Sequence, residues 1–242
     1  MVKKVKYCGV LGIVSAFLLY GSVFAAEAED GDVDVGEYEE YSRHVVRVFV
    51  LGVEGQGTGV VIAPGIVLTA LHVVDMLFSR AYRVTDGDPK FAVAAREGRI
   101  FSASVLERKP DADMAFLRIN DGDFGTLLPV QKFRKSRVLV GERVFGIGHR
   151  IKLSYTYFWG RVSAVRYIDS PWFTRSGWFF QIDATVDNGD SGGPVFDARG
   201  RLLGIVLSRL GTSETAFVVP LWESCEAKSV PAHVRRILEC KQ

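Results

Sequence analysis

The sequence predicts an all-β protein made of closed or packed β-sheets, and three observations carry that prediction. Short apolar runs rich in Val, Ile and Phe recur along the chain; Gly, Asp, Asn and Pro separate them; and only two stretches pattern as helices. In chain order, residues 44–51 read as the first strand, Gly55-Gln-Gly-Thr-Gly as a glycine turn, and residues 60–63 and 66–70 as the second and third strands. Further strands are expected at 82–85, 100–106, 114–119, 143–147, 160–167, 178–182, 202–207 and 216–219. One short helix is expected at 73–78, the other from Pro231, a first-turn position after Ser229, to Cys240. The aromatic segment 155–159 is read as part of a long loop, packed on the body or offered to a neighbouring subunit.

The 242 residues, 48% hydrophobic and 24% charged, suffice for one large or two small cores. Residues 1–25 combine Lys3, Lys4 and Lys6 with an apolar run over 7–20 and small residues at Val23, Ala25 and Ala26. That is the layout of a secretory signal peptide cut after Ala25 or Ala26, or of an N-terminal anchor if it stays uncut. Export follows in either case, to the periplasm or outside the cell, with membrane attachment only for the uncut form. Without those three lysines, 27 basic residues face 28 acidic ones, which argues against a nucleic-acid partner.

Residues 26–42 hold eight acids and no basic residue up to Glu40, and read as an extended acidic linker. The ordered domain is expected at 43–222. The last twenty residues, 223–242, are too few for another domain and read as a C-terminal helix packed on the body. Cys225 and Cys240 form a disulfide or remain two thiols. His44, at a strand start, and His233 are expected at the surface, and His149 in a loop without a named partner. No His/Cys spacing suits zinc, and neither metal nor cofactor is expected.

The chemistry is expected in residues 187–196, DNGDSGGPVF, which lie between two apolar runs. Gly189, Gly192 and Gly193 allow positive φ and close approach of a substrate, and Pro194 leads back into a strand. Such a turn presents Ser191. A serine hydroxyl is a weak nucleophile, so it needs a base, a group that orients the base, and donors for an oxyanion. His72 follows an apolar strand in LTALHVV, and Asp113 immediately precedes another in DADMAFL, where an acid can be buried and aimed; Asp111 reads as a solvated turn residue.

The chain order His72, Asp113, Ser191 resembles that of the chymotrypsin-like serine proteases. The closer resemblance is to the bacterial HtrA (DegP/DegS-like) branch. It rests on GTGVVIAPGIVLTALHVVD, DADMAFLRI, VGERVFGIGHR, GRVSAV, QIDATVDNGDSGGPVFD and AFVVP, and the match spans roughly 43–220. The resemblance implies two packed antiparallel β-barrels, with the C-terminal helix as an addition. It makes Ser191 the nucleophile, His72 the base, Asp113 its orienting acid, and the backbone N–H groups of Gly189 and Ser191 the oxyanion hole. It places Thr185, Val186, Asn188, Leu207, Ser208, Arg209, Ala216 and Phe217 around the substrate, with a pocket for small or aliphatic residues. The implied substrate is an unfolded or extended polypeptide, and a homotrimer follows the branch's habit.

Two departures stand out. No PDZ domain follows the protease-like stretch, and Asp190 stands where HtrA proteases usually carry Asn. Trypsins carry Asp there and pair it with a newly cut N-terminus. No such start is present here, so Asp190 is expected to bond locally or find a basic partner. A catalytically silent binding or chaperone-like module and an esterase-like hydrolase are the alternatives.

Overall fold

Two closed six-stranded barrels make up the body. The computed structural model describes residues 35–83, 88–122, 127–151, 153–169, 176–209 and 214–222. The first barrel joins β1 (Val45–Val50), β2 (Gly57–Ala63), β3 (Ile66–Ala70), β6 (Met114–Ile119), β5 (Ile100–Lys109) and β4 (Phe91–Ala94), in that spatial order. The second joins β10 (Pro194–Asp197), β11 (Leu202–Arg209), β12 (Thr215–Pro220), β9 (Gly177–Asp183), β8 (Leu153–Ile168) and β7 (Arg143–Arg150). All neighbouring strands run antiparallel. Closure gives every strand a neighbour on each side over part of its length, and alternating apolar residues fill each interior. Along β5, Phe101 and Ala103 are buried while Ile100, Ser102 and Ser104 face solvent.

The predicted strands differ from the observed ones in informative places. The glycine turn is shorter than expected, because Gly57 and Gly59 belong to β2. A Cβ at Gly57 would come within 2.4 Å of Val73, and one at Gly59 within 2.6 Å of Val67. These glycines serve close packing rather than chain reversal. Tyr82, expected in a strand, ends helix α2 (Leu71–Tyr82). Its apolar residues Leu71, Val74, Leu77 and Ala81 recur at helical spacing and are buried against the first barrel. The strand Phe91–Ala94 was not expected, being only four residues long and separated from turn signals by a single Lys.

Residues 155–159 lie in the long strand β8, not in a loop. Tyr155 and Tyr157 are half-buried, and the Tyr155 hydroxyl donates to the backbone of Val45 and Ala94 in the other barrel, at 3.4 and 3.3 Å. Trp159 faces solvent. His44 is buried rather than superficial, with Nδ1 2.7 Å from the Leu128 carbonyl, and burial pushes its pKa below the usual imidazole value.

The acidic stretch expected to be extended up to residue 42 ends instead in a helix, α1 (Val35–Ser42). Two aromatic residues three apart, Tyr38 and Tyr41, give this otherwise polar segment an anchoring face. The Tyr41 ring lies 4.9 Å from that of Phe145 and 5.1 Å from that of Phe196. Gly200 makes room, since a Cβ there would collide with the Tyr41 hydroxyl. On the other side Arg96 grips the Glu39 carboxylate with two nitrogens and donates to Ser42 Oγ at 2.9 Å. The signal peptide expected at 1–25, the helix expected at 223–242, His233, Cys225 and Cys240 fall outside the described residues.

Replacing Tyr41 by Ala removes the ring that seats α1. The expected cost is about 2 kcal/mol, below the roughly 3–5 kcal/mol of fully buried aromatic truncations because Tyr41 is only half-buried. It should read as a lower urea midpoint with an unchanged slope.

Candidate active site

His72 stands second in α2, directly after β3, so the first barrel fixes its backbone. Ala70, before the helix, has no side chain to cap it. Asp113 fills that role from across the sheet: its carbonyl accepts the Leu71 N–H at 3.0 Å and its Oδ1 accepts the His72 N–H at 2.9 Å. A carboxylate at the positive end of a helix satisfies free N–H groups and suits the helix dipole. The second oxygen, Oδ2, lies 2.8 Å from His72 Nδ1. Asp113 is 3% exposed and adopts left-handed backbone, φ 45°, which Asp tolerates better than most residues. This conformation ends the short 3₁₀ turn Pro110–Ala112 and directs the carboxylate back toward α2 as β6 begins.

Ser191 comes from the other barrel, in the turn between β9 and β10. The turn is closed by Asp190 N–H to Asp187 O at 3.0 Å and Gly193 N–H to Asp190 O at 2.9 Å. The Asn188 carbonyl is held by the Ile151 N–H at 3.1 Å. Because a peptide unit is planar and trans, the Gly189 N–H points the opposite way, and the Ser191 N–H likewise points away from Asp190 O. Among the described residues neither N–H has a partner. Ser191 Oγ donates to Leu207 O at 3.1 Å.

Thr58, which sequence reasoning left without a role, ties this turn to the first barrel. Its N–H donates to Ser191 O at 2.9 Å, and its hydroxyl donates to Gly189 O at 2.6 Å while accepting the His149 N–H at 2.9 Å. A Thr between two glycines looks like part of a turn, so only the sheet register reveals this bridge. Arg150 was equally hidden. Its Nε lies 2.9 Å from Asp190 Oδ2, and it also donates to the Thr185 carbonyl. Asp190 thus has both the local bond and the basic partner expected of it, with the Asp187 N–H 2.8 Å from the same oxygen. Burial pushes its carboxyl up to about 6, against the pull of the Asp187 N–H and Arg150.

His72 and Ser191 line one cleft of about 830 Å³ between the barrels. Val186, Asn188, Gly189, Leu207, Ser208 and Arg209 share it. Thr185, Ala216 and Phe217 do not. Ala216 and Phe217 are buried on β12, which pairs beside β11 with Ala216 opposite Arg209 and Phe217 opposite Ser208. The far wall was not anticipated: Glu54, Gln56, Met76 and Arg80 form it, with Arg80 donating to Glu54 O at 3.0 Å. An imidazole fixed at one nitrogen by a buried carboxylate, opening on a cleft shared with a hydroxyl, has the groups needed for proton transfer to and from a nucleophile.

His149, expected in a loop, is the seventh residue of β7 and fully buried. Its ring meets that of Tyr155 edge-on at 4.3 Å, and neither ring nitrogen has a partner among the described residues. Among the described residues no group of His, Cys, Asp and Glu could hold a metal ion.

Comparison with known proteins gives one family: residues 57–205 match the trypsin-like peptidase domain. The chain is 35% identical over 187 residues to a Brucella suis protein named "Probable periplasmic serine endoprotease DegP-like", covering 72% of this chain and 32% of that protein. It is 33% identical over 146 residues to Protease Do-like 1, chloroplastic, of Arabidopsis thaliana, covering 58% and 33%. It thus spans about a third of the length of these two relatives. Among solved structures it is similar to the HtrA-type protease AlgW with tripeptide, at TM-score 0.66 and 26% identity, over 81% of this chain and 62% of that one.

Burial pushes the His149 pKa down to about 3, with Arg47 adding to the effect. The unfolded chain, with an ordinary imidazole near 6.5, then binds the proton more readily. Stability should therefore fall as pH drops through that window, by up to about 1.4 kcal/mol per unit. His149→Phe keeps the ring and removes the proton site, so its urea midpoint should fall less steeply between pH 6.5 and 4 than that of the wild type.

Proposed function

From the premise that the chain belongs to the trypsin-like peptidase family, with HtrA- and DegP-named proteases among its relatives, we propose that it is a serine endopeptidase acting on extended polypeptides. The observation that supports this best is the pairing of His72 with buried Asp113 on one barrel, facing Ser191 across a shared cleft.

In this reading His72 takes the Ser191 proton as Oγ attacks a peptide carbonyl. The proton passes to the leaving amine as the acyl-enzyme forms, and water then hydrolyses the ester by the same relay in reverse. Asp113 holds the imidazole by its Nδ1 and faces the positive charge that forms on it. The N–H groups of Gly189 and Ser191 receive the oxyanion, the role for which their lack of other partners leaves them free.

The Ser191 hydroxyl rests on Leu207 O. Beyond Val206, the β11 edge facing the cleft has no strand beside it among the described residues. A substrate laid along that edge would offer its own N–H to Leu207 O, freeing the hydroxyl to turn to His72. Next to Ser191 the wall is apolar: Val186, Val206 and Leu207. Of the two acids lining the cleft, Glu54 lies on the far wall and Asp187 is exposed, 3.5 Å from Arg209. The pocket therefore suits a small or aliphatic residue before the scissile bond. Following its Brucella relative's name, the enzyme would act in the periplasm; a homotrimer would follow from the resemblance to the HtrA branch.

Mature protein beginning near Glu27 should cut unfolded β-casein, with fragments ending in small or aliphatic residues when read by mass spectrometry. Ser191→Ala should reduce turnover on the order of 10⁶-fold. An equal rate for that variant, or hydrolysis of short-chain esters with casein left intact, would contradict an endopeptidase.

A further inference from the structure

The end of β7 is a mould for the Ser191 turn. Four consecutive residues touch it, each differently. Gly148 leaves space for the Asp190 carboxylate, since a Cβ there would lie 2.1 Å from Oδ1. The His149 carbonyl packs under Gly189, where a Cβ would come within 2.0 Å of it. Arg150 bonds Asp190 and Thr185, and Ile151 N–H holds the Asn188 carbonyl. The mould is braced from the first barrel by Gln56, whose Nε2 donates to His149 O at 2.8 Å and Arg150 O at 3.4 Å.

Asp190 is the demanding member of this arrangement. It is fully buried, and its Oδ1 has no partner among the described residues. All its recorded side-chain bonds fall on Oδ2, from Arg150 Nε and the Asp187 N–H. A buried carboxylate that lost its cation would carry a large desolvation penalty; it would take up a proton or turn toward water, and either way the turn loses the ionic bond that fixes it. Asp190 directly precedes Ser191, so that loss would carry to the Gly189 and Ser191 peptides.

We propose that Arg150 is a positioning residue for catalysis: from the end of β7 it clamps the turn at the Asp190 carboxylate and the Thr185 carbonyl, fixing both oxyanion N–H groups without a cut N-terminus. The proposal rests on the endopeptidase reading above. Arg suits the task because one planar fork reaches a carboxylate and a carbonyl at once. Arg150 does not touch the reacting atoms; it acts through the backbone of Gly189 and Ser191.

The test uses the mature protein and a chromogenic peptide built on a fragment end mapped in casein. Arg150→Met should lower kcat by about 10²-fold or more, the size of losing an oxyanion donor. KM should stay within about threefold, because the β11 edge and apolar wall are intact. Adding Asp190→Asn removes the stranded charge, so the double variant should regain at least about tenfold in kcat. A purely structural arginine would not give that recovery. Arg150→Met with kcat within about threefold of wild type, or a double variant that folds no better and cuts no faster than the single, overturns the proposal. If Arg150→Met fails to fold, the double variant decides: it should fold and cut, and its failure to do either overturns the clamp. A wild type that does not cut overturns the endopeptidase reading, and the clamp with it.

Discussion

One hydroxyl ties the two barrels together at the place where the proposed chemistry would occur. Thr58 Oγ1 donates to Gly189 O and accepts from the His149 N–H, while the Thr58 N–H holds Ser191 O. Thr69 Oγ1 in turn donates to Thr58 O at 2.7 Å. Both threonines are fully buried, so each of these bonds replaces water that cannot reach the groups. His72 belongs to one barrel and Ser191 to the other, and their relation is only as firm as this seam. Gly192 completes it: a Cβ there would meet Thr58 O and Thr69 Oγ1, both at 2.3 Å. The glycines of the Ser turn therefore answer to the facing barrel as much as to their own backbone angles.

The same economy holds on the first barrel. The Asp113 carboxylate caps α2, which lacks a capping side chain of its own, and simultaneously fixes the ring of the second residue of that helix. Folding and site geometry are thus served by one buried group. An Asn at this position could still accept from the His72 N–H, yet it would bring no charge to face an imidazolium. Around Ser191 the division of labour differs. Backbone bonds shape the turn, and the Asp190–Arg150 pair supplies the charge balance that the buried turn needs.

Much of this was legible in the sequence. The strand Met114–Ile119 was readable to the residue, because an apolar run bounded by Asp113 and Asn120 has no competing pattern. The grouping of His72, Asp113 and Ser191 was readable from chain order together with the strand ends that carry them. Other features depended on partners distant in the chain. Gly57 and Gly59 resembled turn residues until Val73 and Val67 were seen against them. The acidic segment looked extended because its charge outweighed Tyr38 and Tyr41 in composition, although two rings suffice to dock it. Ala216 and Phe217 were assigned to the substrate by resemblance alone; their burial and their pairing opposite Arg209 and Ser208 needed the strand register. Arg150 carried no signal, since nothing local in GIGHRI reveals the carboxylate forty residues later that it meets.

The central claim is that one chain holds a complete, working nucleophile. The most direct measurement is labelling of the intact, folded protein with a serine-directed phosphonylating probe, followed by peptide mass spectrometry. One adduct, on Ser191, with its formation abolished in His72→Ala, is the predicted result. A folded wild type that stays unlabelled, or an adduct that forms as fast without His72, would contradict the claim.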